Sequence, residues 1–367
     1  MKVVLAFDSF KGSFTSKEVA TIVKEELSKK YEDLDIVSLE IGDGGEGTVD
    51  AIINALNGKK LSKAIIGPHF EEIEAFIGIK GESAFIESAS VVGFKYKKAP
   101  DTPSNITTYG IGELIKYALS FGVKNIYLCL GGTTSNDGGC GMAASLGVKF
   151  IGKDEKPFIP VGKYLNDIKD IDISEIDKRL KDVNIYALSD VTNPLYGSFG
   201  ASFIYARQKG AKDEEIVELD KGLINLHNII KEKYGFDYAK AEGAGAAGGL
   251  GYGALVFLNA KVCKGIETIL DLLGFNDIIK DASIIFTGEG KLDVQSLCGK
   301  VISGISKRVE MMGKKMIGIF GIIDYKDLQI PSSFVKVYEI NSKHLPFEKI
   351  IKTKEKDLRQ VVRSIKL

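Results

Sequence analysis

Several common explanations for a protein of unknown role are excluded by what this chain lacks. It has four cysteines, Cys129, Cys140, Cys263 and Cys298, and no two form a Cys-x-x-Cys pair. So few thiols make no disulfide framework and read as reduced cysteines of a cytoplasmic protein. Three histidines without a local cluster give no basis for a zinc site. Lys plus Arg and Asp plus Glu both number 49, so the formal net charge is zero. There is therefore no bulk electrostatic reason to expect nucleic acid or an anionic membrane as partner. No apolar run approaches the ~20 residues of a membrane span. The N-terminal run, Val3 to Phe7, stops at Asp8, short of a signal-peptide core. No Gly-Lys pair precedes Ser or Thr, so the P-loop signature is absent. A small molecule is the substrate class left standing.

What the chain does have is glycine, 41 of 367 residues, gathered into short clusters between periodic apolar segments. Hydrophobic residues at 44% and charged residues at 27% are ordinary for a soluble globular protein, so the clusters are not low-complexity linkers. They mark backbone that comes close to a ligand.

The chain length predicts two domains. Val3 to Phe7 reads as a buried parallel strand. Thr15 and Glu18 are spaced as a capping box ahead of a helix whose Val19, Ile22, Val23 and Leu27 share one face. A strand at 35–41 and a helix through Val49, Ile52, Ile53 and Leu56 complete a βαβα start, the pattern of a parallel α/β sheet. From Leu61 to about Ser88 short strands and turns follow without a helix, the signature of a mixed sheet. Further helices are expected at 109–119 and through Ile216 to Ile230, and strands at 125–130 and 184–188. Beyond Asn259 the alternation resumes, with strands at 283–286, 315–320 and 335–340 and helices at 301–311 and 355–365. The economical topology is a doubly wound parallel-sheet domain, residues 1–60 plus 261–367, interrupted by an inserted α/β domain with a mixed sheet, residues 61–260. The cleft of such a two-domain chain is the expected active site.

Six segments combine glycine with acids, hydroxyls or lysine: 8–13, 42–48, 131–139, 189–194, 243–251 and 287–293. Several follow an expected strand, which puts them at the carboxyl edge where open α/β sheets bind ligands. Glycines let N–H groups approach phosphate. Carboxylates beside them would repel a bare phosphate by about several kcal/mol at short range, and make sense once Mg²⁺ lies between. Lys11 and Lys291 supply positive charge for a transferred group. Together these residues describe Mg–nucleotide phosphoryl transfer. The main alternative is a dinucleotide-dependent oxidoreductase, because Gly42, Gly44 and Gly47 match Gly-x-Gly-x-x-Gly between a strand and a helix. Asp43 and Glu46 intrude on that match. For 243–251, close packing of elements explains the small residues as well as a ligand does.

Taken in order, Asp8-Ser-Phe-Lys-Gly-Ser13, Asp43-Gly-Gly-Glu-Gly-Thr48, Gly131-Gly-Thr-Thr-Ser-Asn-Asp-Gly-Gly139, Ser189-Asp-Val-Thr-Asn-Pro-Leu195, Gly243-Ala-Gly-Ala-Ala-Gly-Gly-Leu-Gly251 and Thr287-Gly-Glu-Gly-Lys-Leu-Asp293 resemble the bacterial glycerate kinase family. The resemblance covers most of the chain. It implies a Rossmann-like domain interrupted by a second α/β domain, and transfer of the γ-phosphoryl of ATP to D-glycerate. The hydroxyl at the 2-position is favoured, with the 3-position left open.

Phosphoryl transfer needs a positioned acceptor hydroxyl and charge neutralisation. Asp190, at a strand end, is the candidate catalytic carboxylate, its alternative being a turn cap before Pro194. Lys11 is the second catalytic candidate, clamping either the glycerate carboxylate or the γ-phosphoryl. Asp43 and Asp293 are candidate Mg²⁺ ligands. Asp8, Ser9, Ser13, Gly44, Gly45, Thr48, Gly132, Thr133, Thr134, Ser135, Asp137, Asn193, Glu289 and Lys291 are candidates for substrate and phosphate binding. Cys140 reads as a small buried thiol, and Lys352 to Lys356 as a solvated helix face.

Overall fold

Val3, Val4, Leu5, Ala6 and Phe7 are completely buried, as a strand covered on both faces must be. In the computed structural model, which describes residues 1–367 apart from Lys11, Asp43, Ala99 and 298–300, the strand Lys2–Phe7 lies inside a five-stranded, wholly parallel sheet. Its order is Phe334–Glu339, Met316–Phe320, Ile284–Gly288, Lys2–Phe7, Asp35–Glu40. This sheet belongs to one of two compact units, made of residues 1–43, 54–56 and 266–367.

The helix Ser16–Lys30 begins as the capping box requires. The Thr15 side chain accepts from Glu18 N at 3.2 Å, and the Glu18 carboxylate accepts from Thr15 N at 2.7 Å. Its apolar face packs with Leu358 and Val362 of the C-terminal helix Phe347–Ser364 and with Ile365 just after it. Glu26, nearly buried, is held by Arg363 at 2.6 Å and by Lys29 and Arg359 at 2.8 Å, which lowers its carboxyl to about 2. The C-terminal helix begins about two turns earlier than its 3.6-residue pattern announces. The reason is that Phe347 and Ile350 point their apolar surface into a cavity and take no part in the core cluster.

The second unit comprises residues 44–53 and 57–265. Its six-stranded sheet has the order Lys261–Cys263, Asn184–Leu188, Asn125–Cys129, Ser83–Glu87, Glu72–Lys80, Lys59–Ile66. The first four strands run parallel, and the last two turn antiparallel. Sequence periodicity groups residues 44–53 with the first sheet. They belong instead to the second unit, because the helix Thr48–Ala55 lays Val49 and Ile53 on the strand Glu72–Lys80. Gly78 makes room for both, since a Cβ there would stand 2.4 Å from the Ile53 side chain and 3.0 Å from Val49. A small antiparallel sheet of Pro157–Phe158, Lys149–Ile151 and Asp170–Asp172 forms from strands too short to show a period in the sequence. The long helix Asp213–Tyr234 buries Ile216, Leu219, Leu223, Leu226 and Ile230, and His227 with them. Among the described residues, no helix is long and apolar enough to cross a membrane.

Candidate active site

Two sets of glycine-bearing loops form, one in each unit. In the parallel-sheet unit the chain leaves Lys2–Phe7 to one side for Asp35–Glu40, while Ile284–Gly288, Met316–Phe320 and Phe334–Glu339 follow one another on the other side. The winding reverses between Lys2–Phe7 and Ile284–Gly288, and the crevice at such a switch point is where open sheets bind ligands. The segments leaving these two strands, 8–13 and 287–293, are tied there by Asp8 N donating to Gly288 O at 3.0 Å.

A cavity of about 340 Å³ opens at this point. Asp8, Ser9, Ser13, Glu289, Lys291 and Asp293 give it polar lining, and Phe10, Phe14, Ile322, Ile340, Phe347 and Ile350 give it apolar walls. Six of the sequence candidates are thus brought together. The Lys291 ammonium lies 3.3 Å from both Asp293 and Asp324, and the two carboxylates hold its pKa above the usual lysine range. Lys354 departs from the solvated face expected for 352–356. Its ammonium donates to the Ser13 carbonyl and sits 4.4 Å from the centre of the Phe14 ring, so it pins the 8–13 loop. Lys11 and Asp43 lie outside the described residues.

In the second unit four loops interlock backbone to backbone. Gly131 N donates to Gly44 O at 3.0 Å, Gly138 N to Gly248 O at 3.1 Å, and Gly245 N to Asn193 O at 2.9 Å. The backbone is left-handed over Ala247, Gly248 and Gly249. A Cβ on Gly248 would stand 2.0 Å from Ser135 O, and one on Gly245 2.2 Å from Pro194 O. Of the two explanations for the small residues at 243–251, close packing is the one realised.

That interlock places several sequence candidates inside the unit. Asp137 is fully buried, and its carboxylate accepts from Thr108 N and Oγ1 at 2.9 and 2.8 Å and from Gly139 N and Gly141 N at 3.0 and 3.2 Å. It clamps the 131–139 loop from within, and burial raises its pKa against those four hydrogen bonds. Thr134 donates to Val92 O at 2.8 Å, Thr133 bridges to Gly93, and Ser135 is completely buried. The Asn193 amide is spent on Phe199 O and the Tyr205 hydroxyl. Thr48 Oγ1 accepts from Gly44 N at 3.0 Å, and Gly44 and Gly45 are themselves buried. Gly132, left-handed and exposed, is the part of 131–139 that meets solvent. Asp190 is partly buried at the carboxyl end of Asn184–Leu188, and its Oδ1 accepts from Gly265 N at 2.8 Å. Cys140 is buried, which raises its thiol pKa well above the ordinary value, as fits an inert packing residue.

Two buried ionisable groups carry no signal in the sequence. Glu87, 2% exposed, ends a central strand and accepts from Val49 N at 3.2 Å at the start of the helix Thr48–Ala55. Burial, only partly offset by the Val49 and Gly47 N–H groups, raises its carboxyl to about 7. Its carboxylate takes the backbone donors that a pyrophosphate would need, so the dinucleotide reading of 42–47 loses its anion site. Lys209 is buried with its ammonium 2.7 Å from Ser135 O, and burial lowers its pKa to about 7.

No group of three or more His, Cys, Asp or Glu side chains among the described residues forms a preassembled metal site. Mg²⁺ that arrives with a nucleotide needs only one or two carboxylates, and the acids lining the cavity supply that number.

A model of the glycerate kinase family matches residues 3–367. A glycerate kinase of Bacillus cereus is 38% identical over 369 residues, spanning all of this chain and 97% of the relative. A glycerate 2-kinase of Escherichia coli is 41% identical, over 88% of this chain and 85% of its own length. The crystal structure of a protein assigned as glycerate kinase 2 from Salmonella typhimurium superposes with a TM-score of 0.87 at 35% identity, covering 99% of this chain and 96% of that one.

Proposed function

The chain belongs to the glycerate kinase family, and on that premise we propose that it transfers the γ-phosphoryl group of ATP to D-glycerate with Mg²⁺, giving 2-phosphoglycerate and ADP. The observation that carries the ATP and Mg²⁺ half is the meeting of the 8–13 and 287–293 loops at the switch point of the parallel sheet, where acids, hydroxyls and a lysine line one cavity. The 2-position is supported by the Escherichia coli relative, which bears the name glycerate 2-kinase.

In the transfer, the acceptor hydroxyl oxygen forms a bond to the γ-phosphorus as the bond to the β,γ-bridging oxygen breaks, and the hydroxyl proton must leave. Asp190 is the proposed acceptor of that proton, its carboxylate aimed by the Gly265 N–H. Lys11 is the proposed clamp on the γ-phosphoryl or the glycerate carboxylate. Asp293, and Asp43 by its place in the motif, are the proposed Mg²⁺ ligands, the metal serving to neutralise phosphate charge. The polar cavity residues Ser9, Ser13 and Glu289 orient the nucleotide. A cytoplasmic setting is part of this proposal, supported by the sparse, unpaired cysteines.

The decisive measurement is ADP release from Mg–ATP with and without D-glycerate, with the product identified by phosphorus NMR. Glycerate-dependent release giving the 2-phosphate is expected. Release at the same rate without glycerate would refute the assignment. The 3-phosphate as product would refute the regiochemistry alone.

A further inference from the structure

The cavity at the parallel sheet has two chemically distinct halves, and a three-carbon hydroxy acid accounts for only one of them. D-Glycerate is polar on every carbon, yet half of the lining is apolar, with Phe10 and Phe14 on one side and Phe347 and Ile350 of the C-terminal helix on another. The volume, about 340 Å³, falls in the ~300–1,000 Å³ range of sites for drug-sized ligands and is several times that of glycerate. Phe347 is the telling residue. It is 55% exposed, on the first turn of a helix whose Leu358 and Val362 are buried, and its ring packs against Gly12. A Cβ at Gly12 would stand 3.2 Å from the tip of that ring, so glycine lets the 8–13 loop and the ring approach without the ring having to shift. An aromatic face kept open beside a cavity is what a planar base covers.

Resting on the kinase assignment above, we infer that this cavity is the nucleotide site, with the adenine of ATP against Phe347 and Ile350 and its ribose and phosphates toward the polar lining of 8–13 and 287–293. Glycerate then takes no part of the apolar half, its acceptor hydroxyl meeting the nucleotide only at the γ-phosphoryl end. Lys354 contributes indirectly, as a positioning residue, because its contacts with Ser13 O and the Phe14 ring fix the wall that the base faces.

The test is residue-level and separable from turnover. Photolysis of the full chain with 8-azido-ADP should label peptides from 8–14 or 340–354, with protection by excess ADP. Labelling confined to 131–139 or 243–251 would overturn the site. Phe347→Ala should weaken ADP binding in equilibrium titration and raise KM for ATP by about 10-fold, leaving KM for glycerate within about two-fold. Met311→Ala, on an exposed position of another helix, should change none of these. An unchanged ADP affinity in Phe347→Ala, or a rise in KM for glycerate instead of ATP, would overturn the inference while leaving glycerate-dependent ADP release intact. Failure of the kinase assignment has a different signature: labelled cavity peptides without glycerate-dependent turnover.

Discussion

The same ingredients, glycine beside acids and hydroxyls, produce an open cavity in one unit and a closed interlock in the other. At the parallel sheet, Asp8, Ser9, Glu289 and Asp293 line accessible space, and the glycine at position 12 borders a side chain. At the mixed sheet, Gly131, Gly245, Gly248 and Gly251 meet other backbones, and Asp137 is consumed by four internal donors. Composition alone therefore does not separate a glycine that lets a ligand approach from one that lets a neighbouring loop approach. Whether the segment also borders open space does.

Substitutions can break this contrast. The largest effect is expected for Gly248→Ala, which puts a methyl 2.0 Å from Ser135 O at a left-handed position. The strain has no flexible side chain to absorb it, so a loss above about 4 kcal/mol in urea unfolding is expected. A loss below about 1 kcal/mol would show that the interlock is loose. Asp190→Asn comes next and should act on chemistry. Turnover should fall by about 10²–10⁴-fold while the melting temperature stays within a few degrees, because the amide oxygen still accepts from Gly265 N. Unfolding of this variant, or activity within a few-fold of wild type, would remove Asp190 from its role.

Glu87→Gln tests the buried charge beneath the interlock. The folded pKa of Glu87 is raised from 4.5 to about 7. Its stabilising contribution is therefore fully present below pH ~4.5 and is lost as pH rises through ~7. Relative to wild type, Glu87→Gln should gain up to about 3 kcal/mol between those limits, read from urea unfolding across that pH range. Parallel curves for the two proteins would mean that Glu87 is not a buried acid. The smallest effect is expected at the cavity. Gly12→Ala has left-handed strain and a ring contact at 3.2 Å but no backbone clash, so a cost of about 1–2 kcal/mol is expected. A cost equal to that at Gly248 would erase the distinction between the two loop sets.

Much of the fold was legible locally. The capping box at Thr15 and Glu18 and the helices Tyr109–Leu119 and Val301–Met311 follow from contacts within a few residues of one another. The small sheet around Lys149–Ile151 was not, because three-residue strands carry no period to detect. The start of the C-terminal helix was hidden for a different reason: its first apolar residues serve a cavity and interrupt the core-facing stripe. At the candidate site, 8–13 and 287–293 were recognised as chemical segments and do meet. Glu87, Lys209, Phe347 and Lys354 were missed, since each looks ordinary until a distant segment buries it or opens beside it.

The order and composition of the six glycine segments determined the family and its chemistry, because a motif is a property of residues adjacent along the chain. Which of those segments bounds a ligand-sized space, and which merely admits its neighbour, was decided by the tertiary structure. The distance from one backbone to the next depends on strand order and on the helices packed behind it, and the chain specifies these only once it has folded.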